Sequence, residues 1–329
     1  MKSVRQYKAG TADVLILEDV EIPAIQQGEV LIQGLYTSVN YADIKTRRGK
    51  KGQSKFPITL GLDIVGHVIE SKSSAFQKGD YVFAFPNGGS YQQVVAAKEI
   101  LTFKIPETID PLQAAALPTV TILSEILLKQ IGDVQKEDTI VVHSAAGGVG
   151  TMLVKLAKHY GVSKIIGTVG DLSKKDYVLS IGADDVFTYD SFVDGVKQHT
   201  NGEGAQVIFD SVAGDVTKAS LECLANFGTL VQFGNSSGKA GVISTSDVHN
   251  SCRNIKGFSL GTTRKEAPAR LAPVVERIIP LFEGGELSVP IARVFDLEEV
   301  QEAHRLIESR KHQGKILIRL IKDKHYEQF

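Results

Sequence analysis

The stretch TIVVHSAAGGVGTMLVKLAKHYG, residues 139–161, decides the fold. An apolar run, TIVVH, leads directly into a turn of small residues, HSAAGGVG, and then into a segment with helical spacing. Val149, Leu153 and Leu156 fall on one face of that segment, and Gly161 suits the position just after a helix end. A buried strand, a tight turn and an amphipathic helix in this order predict a parallel sheet covered by helices.

The turn has the chemistry of a dinucleotide phosphate site. Aligned to the G-x-G-x-x-G fingerprint it reads Ala145-x-Gly147-x-x-Gly150, with alanine in place of the first glycine. Gly147 lets a pyrophosphate approach the backbone, Gly150 allows close helix–strand packing, and the helix N-terminus supplies N–H groups. The predicted phosphate-binding residues are Ala146, Gly147, Gly148, Val149 and Gly150. The alternative is a tight turn with a structural role only.

The second strand, KIIGTVG at 164–170, indicates which dinucleotide is bound. An NAD site places a carboxylate at the tip of this strand to hold the ribose 2′-hydroxyl. Here the tip is Val169, Asp171 follows two residues later, and Lys174 and Lys175 come next. Lysines at that place can meet a 2′-phosphate, so NADP(H) is favoured over NAD(H). The alternative for the lysines is an exposed first helical turn.

Two patterns divide the chain. Up to about residue 110, short apolar runs between Gly, Pro and Asp predict a mainly antiparallel, barrel-like unit. From about Leu117, strands alternate with amphipathic helices, among them ASLECLANFG at 219–228, and predict a doubly wound parallel sheet. We therefore expect an α/β protein with one domain over 1–117, joined by the tail 290–329, and a second over 118–289.

Composition limits the classes of function. The chain has 329 residues and a net charge of −1, so a nucleic-acid partner is not expected. Two cysteines are too few for a disulfide framework. The first residues carry no apolar signal segment, and no apolar run approaches a membrane span, so we expect a cytoplasmic protein without a membrane partner.

Seven segments also occur in an order that is typical of one family. They are SVNYADIK, GLDIVGHV, KGDYV, HSAAGGVG, GTVG, DSVAG and FGNSSG. Over nearly the whole chain they resemble the zinc-less quinone oxidoreductases (zeta-crystallin-like) of the medium-chain dehydrogenase/reductase superfamily. The resemblance implies a Rossmann domain, a GroES-like catalytic domain, a homodimer, NADPH as cofactor, and a small-molecule substrate that is a quinone or an enone.

The resemblance implies site residues as well. Asn40 and Thr121 match residues near the nicotinamide. The other cofactor contacts that it implies are Lys174, Tyr189 and Arg310 at the 2′-phosphate, and Ser211, Phe233, Gly234 and Asn235 along the cofactor. For Tyr189 the alternative is a packed strand residue, and for Arg310 a surface helix end. Family members often carry a tyrosine near Lys51, and its replacement leaves the preferred acceptor open.

The pair Asp63 and His67, four residues apart, invites comparison with a metal site. In a strand, four residues span roughly 13 Å at about 3.3 Å each, whereas metal ligands lie at about 2 Å. The zinc-dependent relatives carry a cysteine where this chain has Asn40 and a histidine where it has Leu62. We therefore predict no metal.

The expected chemistry is hydride transfer from NADPH to a quinone or an α,β-unsaturated carbonyl, with Asn40, Tyr41 and Thr121 as candidate catalytic residues. Tyr41 is either a proton donor or a core side chain, and Asp43 either braces a loop or acts as a base. Two other functions are weighed against this one. The first is a crystallin-like or regulatory nucleotide-binding protein with little turnover, and the second, favoured less, is a zinc alcohol dehydrogenase.

Overall fold

The structure is a computed structural model that describes residues 1–49 and 55–321. Its strands are β1 (Lys2–Gln6), β2 (Leu15–Asp19), β3 (Glu29–Val39), β4 (Ile58–Thr59), β5 (Ile64–Ser71), β6 (Tyr81–Ala84), β7 (Val94–Lys98), β8 (Thr102–Lys104), β9 (Thr139–Val142), β10 (Lys164–Val169), β11 (Asp185–Thr188), β12 (Ala205–Asp210), β13 (Leu224–Gln232), β14 (Asn254–Gly257), β15 (Ile291–Asp296) and β16 (Lys315–Arg319). Its helices are α1 (Tyr41–Arg47), α2 (Pro111–Ile126), α3 (Gly148–His159), α4 (Lys175–Ser180), α5 (Phe192–His199), α6 (Asp215–Glu222), α7 (Thr245–His249), α8 (Leu260–Glu266), α9 (Ala272–Glu283) and α10 (Val300–Ser309).

The chain divides into two units, which confirms the predicted α/β class with a parallel and a mainly antiparallel part. The first unit contains Met1–Thr119 and the chain from Ala267 onward, and the second contains Val120–Glu266. Residues 267–289, which the sequence pattern predicts to be part of the second domain, lie with the first unit. The Gln113 side chain, for example, bonds both backbone groups of Val289 at 2.7 and 3.1 Å.

The second unit is built on a six-stranded sheet in the order β11-β10-β9-β12-β13-β14, and every neighbouring pair is parallel. Counted from β9, this is the 3-2-1-4-5-6 order of a doubly wound dinucleotide-binding fold. Nearly every residue of β9, β10 and β12 is buried, as expected for strands with helices on both faces. The strand order reverses between β9 and β12, and ligands bind such folds at the carboxyl ends of the strands flanking that point.

The helix predicted over 219–228 is correct as far as Glu222 and wrong beyond it. Helix α6 ends at Glu222, and Leu224 already pairs with Ala205 of β12. The spacing of ASLECLANFG suits a helix, but pairing of its second half with β12 buries Leu224 and Ala225, and Phe227 is left exposed at a φ of 62°. Tertiary pairing overrides local helical spacing here.

The first unit contains a seven-stranded sheet in the order β15-β16-β3-β5-β6-β8, with β7 also paired to β3. The late strand β16 runs antiparallel to β3, pairing Ile316 with Val39. A small sheet, β2-β1-β4, accompanies it. Gly66 of β5 crosses so close to β3 that a Cβ atom there would lie 1.9 Å from the Gln33 carbonyl oxygen, so only glycine fits.

Helix α2 continues as a π-helical turn to Ile131. Within the described residues, the stretch Pro111–Ile131 is the one candidate long and apolar enough to cross a membrane, although we expected no such run. In this protein 78% of its most apolar window is buried, as in the core helix of a soluble protein.

Candidate active site

The predicted phosphate turn lies at the carboxyl end of β9, beside the point where the strand order reverses. Ser144 adopts a left-handed φ of 55°, and its carbonyl accepts the Gly147 N–H at 2.8 Å. A Cβ atom on Gly150 would lie 2.2 Å from that carbonyl oxygen, so Gly150 is required for close packing. Helix α3 begins at Gly148, and the first N–H groups of a helix have no acceptor within it. These amides can bind an anion.

Tyr189, just after β11, contacts the same turn. Its hydroxyl lies 3.1 Å from the Ser144 backbone nitrogen, whose N–H it accepts, and 3.2 Å from the Ser144 Oγ. The ring is also tilted against His143 with centroids 5.9 Å apart. Tyr189 therefore supports the phosphate turn through its hydroxyl as well as by packing.

The end of β10 has the charges that the sequence suggests. Asp171 accepts the Ser173 N–H at 2.8 Å. Hydrogen bonds from the backbone and the side chain of Ser173 lower the pKa of the Asp171 carboxyl group. Lys175 forms a salt bridge of 3.0 Å with Asp185. Lys174 sits in the 3-10 turn between Asp171 and α4. The amino group of Lys175 is thus bonded to a carboxylate of its own unit.

The ends of β12 and β13 meet next to the turn. The Ser236 N–H donates to the Ser211 carbonyl at 2.9 Å, and the Phe233 N–H donates to the Asp210 carbonyl at 3.0 Å. Gly234 passes Ser211 so closely that a Cβ atom would lie 2.8 Å from its carbonyl oxygen. Asn235 has a buried Oδ1 atom that finds no hydrogen-bond partner anywhere in residues 1–49 or 55–321. An orphaned buried oxygen beside the strand ends fits a ligand donor.

Thr121 on α2 shows the same feature. Its side chain is fully buried, and no group in the described part of the chain bonds its Oγ1 atom. Buried hydroxyl groups are nearly always bonded. Thr121 can therefore donate to, or accept from, a bound molecule.

In the first unit, Asn40 precedes α1 and its side chain is held at both ends. Its Oδ1 atom accepts from the Lys315 amino group at 2.8 Å, and its Nδ2 atom donates to the Ser38 Oγ at 3.1 Å. The Ser38 hydroxyl in turn donates to Asp63 at 2.6 Å. Asp63 also accepts from the Thr119 hydroxyl.

Asp43 braces the start of α1, in agreement with the first of its two alternatives. It accepts the backbone N–H groups of Asn40 at 2.8 Å and Gly61 at 3.2 Å, and the Tyr91 hydroxyl at 3.2 Å. Burial raises the pKa of the Asp43 carboxyl group to about 6, although the bond from the Asn40 N–H opposes this shift.

The Tyr91 hydroxyl continues into a buried chain of hydrogen bonds. Arg47 can only donate, so its contact of 3.0 Å with the Nδ1 of His304 makes that atom the acceptor. His304 therefore donates from Nε2 to Tyr91 at 3.0 Å. Arg47 is itself fully buried and pairs with Glu308 at 2.5 Å. This chain fixes α1 on α10.

The remaining predicted residues are placed as follows. Tyr41 is 37% exposed at the first position of α1, so the alternative of a core tyrosine is wrong. Arg310 ends α10 in a left-handed conformation with a φ of 57°. The prediction about Lys51 falls outside the described residues.

Asp63 and His67 have different surroundings. Asp63, just before β5, is fully buried and bonded to hydroxyl groups. His67 lies within β5 and stacks on Tyr81, with ring centroids 5.0 Å apart. In residues 1–49 and 55–321, no three His, Cys, Asp or Glu side chains are grouped so that they could hold a metal ion.

Arg47, Tyr91, His304 and Lys315 are among the buried polar residues that the sequence did not reveal. A lysine at the start of the apolar run KILIRL was the available signal, since lysine is almost never fully buried unless it is paired.

Two domain families match this chain. The zinc-binding dehydrogenase family matches residues 148–277, and the alcohol dehydrogenase GroES-like domain family matches residues 26–107. The quinone oxidoreductase of Sus scrofa is 30% identical over 97% of this chain and 98% of its own length. A probable quinone oxidoreductase of Schizosaccharomyces pombe is 30% identical over 96% of both chains.

A solved structure agrees with these relatives. The quinone oxidoreductase of Escherichia coli, in complex with NADPH, covers 97% of this chain and 100% of its own, with a TM-score of 0.91 and 27% identity. The fold and the phosphate turn define an oxidoreductase of the medium-chain dehydrogenase/reductase superfamily. Within that superfamily, the chain belongs to the quinone oxidoreductases.

Proposed function

We propose that this protein is a zinc-independent, NADPH-dependent reductase of quinones or α,β-unsaturated carbonyl compounds. The observation that carries the proposal is the phosphate turn, where Ser144, Gly147 and Gly150 leave the first amides of α3 available at the end of β9. The relatives that are named quinone oxidoreductases, one of them in complex with NADPH, support the same assignment.

The second unit fits this cofactor in three ways. A Cβ atom on Gly147 would meet nothing nearer than the Ser144 carbonyl at 3.2 Å, so the outer side of the turn is open to a pyrophosphate. Lys174 follows the tip of β10, where a 2′-phosphate is expected. Ser211, Phe233, Gly234 and Asn235 form the adjoining strand ends, and the buried Oδ1 of Asn235 has no partner among the described residues.

When bound, NADPH supplies a hydride from C4 of its nicotinamide ring. A quinone that accepts the hydride develops negative charge on an oxygen atom and then needs one proton to become the hydroquinone. Donors aimed at such an oxygen stabilise the transition state, and removing one typically costs about 100- to 1,000-fold in rate. We assign this role to the Asn40 amide and the Thr121 hydroxyl, and we assign Tyr41, whose ring is exposed, as the proton donor.

The donor set supports the proposal of zinc independence. A catalytic zinc needs three protein ligands of N, S or O type. Asn40 occupies the position of a zinc-ligating cysteine in the zinc-dependent relatives, and its amide is bonded to Lys315 and Ser38. Leu62 occupies the position of the histidine ligand. The homodimer and the cytoplasmic location stay predictions from the resemblance and the composition.

The test is turnover with defined acceptors. Purified protein should oxidise NADPH with 1,4-benzoquinone or with an enone such as 2-cyclohexenone, and the rate should be unchanged after treatment with EDTA. Zinc measured in protein purified without chelator should be far below one atom per chain. Fluorescence-detected NADPH binding without turnover of any acceptor would support a nucleotide-binding role instead. Stoichiometric zinc with alcohol oxidation would support an alcohol dehydrogenase.

A further inference from the structure

We propose that Lys315 is a positioning residue that orients the Asn40 side chain for catalysis. This inference rests on the proposed function, because it gives Asn40 a role toward the acceptor. Lys315 lies on β16 and Asn40 precedes α1, so the contact joins two positions 275 residues apart in the sequence. Neither the phosphate turn nor a metal motif involves Lys315.

The burial of Lys315 supports this role. Lys315 is 4% exposed, and a lysine is rarely placed in a core without a partner. Its amino group donates to the Asn40 Oδ1 at 2.8 Å and to the Val39 carbonyl at 3.2 Å. Burial lowers the pKa of this amino group, and the carboxylates of Asp63 and Asp43 oppose the shift. Lys315 thus bonds both the backbone of Val39 and the side chain of Asn40, the two residues just before α1.

The geometry of the Asn40 amide supports this role as well. An asparagine side chain can rotate its amide by half a turn at little steric cost, which would exchange its donor and acceptor. Lys315 can only donate, so it selects the orientation with Oδ1 toward itself. The Asn40 NH2 group then points the other way, toward Ser38 Oγ, whose own hydrogen is committed to Asp63. Lys315 and Asp63 therefore define which side of the amide donates.

The orientation of Asn40 by Lys315 should affect the rate of hydride transfer more than the binding of NADPH. Fixing a donor before the reaction avoids reorganisation in the transition state, and a misplacement of about 1 Å can cost about 100-fold in rate. Replacing Lys315 should slow hydride transfer while leaving NADPH affinity unchanged, since the phosphate turn lies in the other unit.

The experiment is a double-mutant cycle with single-turnover kinetics, using NADPH and 1,4-benzoquinone. K315M should lower the hydride-transfer rate constant roughly 10- to 100-fold, with the Kd for NADPH within about twofold of the parent. N40A should have a similar effect, and K315M in the N40A background should cause no further loss. An unchanged rate in K315M, or multiplied losses in the double variant, would overturn the proposal.

Two additions keep the test decisive. K315Q retains a neutral donor, so it leaves fewer buried acceptors unbonded than K315M does. It replaces K315M in the test if K315M does not fold. Its hydride-transfer rate should be higher than that of K315M. K72M is the matched control, because Lys72 also bonds a carbonyl group of the first unit, that of Ile25 at 2.8 Å. K72M should retain the parent rate.

A readout independent of activity separates this inference from the proposed function. The NH2 signals of the Asn40 side chain can be assigned in a 1H–15N spectrum by comparison with N40A. They should shift in K315M and K315Q but stay in place in K72M. If the parent reduces no acceptor, the proposed function fails while this shift still tests the contact. Unchanged Asn40 signals in K315M would refute the orienting role directly.

Discussion

Tyr189 and Ser144 are joined at the phosphate turn: the tyrosine hydroxyl lies 3.1 Å from the serine backbone nitrogen and 3.2 Å from its Oγ. Ser144 is the residue in the left-handed conformation, and its carbonyl oxygen is the atom that excludes any side chain at position 150. The tyrosine therefore stabilises the residue on which the geometry of the turn depends.

Tyr189→Phe should weaken NADPH binding without unfolding the protein. The Ser144 N–H loses its acceptor, and a hydrogen bond of this kind contributes about 1 kcal/mol, so we expect the Kd to rise about fivefold. Titration of NADPH fluorescence measures this Kd. Tyr7→Phe removes a hydroxyl bonded to Glu18 at the surface of the first unit and should leave the Kd unchanged. An unaltered Kd in Tyr189→Phe would show that the turn does not depend on this bond.

Two glycine substitutions should separate folding from cofactor binding. A Cβ atom at Gly150 would lie 2.2 Å from the rigid Ser144 carbonyl, so Gly150→Ala should lower the free energy of unfolding by at least about 2 kcal/mol. Gly147 has an extended backbone, and its nearest neighbour would lie at 3.2 Å. Gly147→Ala should therefore keep its stability yet bind NADPH at least about tenfold more weakly. Urea unfolding and fluorescence titration test both, and equal effects of the two substitutions on stability would contradict this account.

Acid should destabilise the protein through its buried histidines. Burial and then the Arg47 charge lower the pKa of His304 to about 3, and burial lowers the pKa of His143 to about 4. In the unfolded chain both histidines gain a proton with a pKa of about 6.5. The stability that comes from keeping them neutral in the folded protein is therefore complete above that pH, and it is lost as the pH falls toward their folded-state pKa. Between pH 7.5 and 5.0 the loss is about 2 kcal/mol per histidine.

His304→Gln isolates one of these contributions. Asp43, whose pKa is raised to about 6 by burial, gains a proton in the folded state over the same interval and acts in the opposite direction. Asp43 is present in the parent and in His304→Gln, so its contribution cancels in the comparison. The loss of unfolding free energy between pH 7.5 and 5.0, measured with urea, should be about 2 kcal/mol smaller in the variant. His249→Gln, at an exposed residue, is the control. A pH dependence identical to that of the parent would rule out His304 as a source.

The second unit could be predicted because its signals are local. Strands β9 and β10 are continuous apolar runs, and the turn between β9 and α3 contains its own glycines, so neighbouring residues determine both. The second half of the stretch 219–228 was predicted wrongly for the opposite reason. Its helical spacing is local, but pairing with β12 decides its structure.

The buried polar cluster of the first unit could not be predicted from spacing. Lys315 and Asn40 are 275 residues apart, and His304 and Tyr91 are 213 apart. Only the pairing of β16 with β3 and the packing of α10 bring these partners together. Asn40 was recognised through the family resemblance, and Asp43 lies in the same segment, SVNYADIK. The partners of both side chains depend on tertiary structure.

Cofactor choice is tested most sharply by the two adjacent lysines after β10. Lys174→Ala should weaken NADPH binding roughly 10- to 100-fold, because a lost charge-assisted bond to a phosphate costs about 1.5–3 kcal/mol. NADH lacks that phosphate, so its Kd should change less than about twofold. Lys175→Ala is the matched control, since its amino group is held by Asp185 at 3.0 Å, and NADPH binding should be nearly unchanged. Equal weakening of NADPH and NADH by Lys174→Ala would mean that this lysine supports the fold of the site and does not meet the 2′-phosphate.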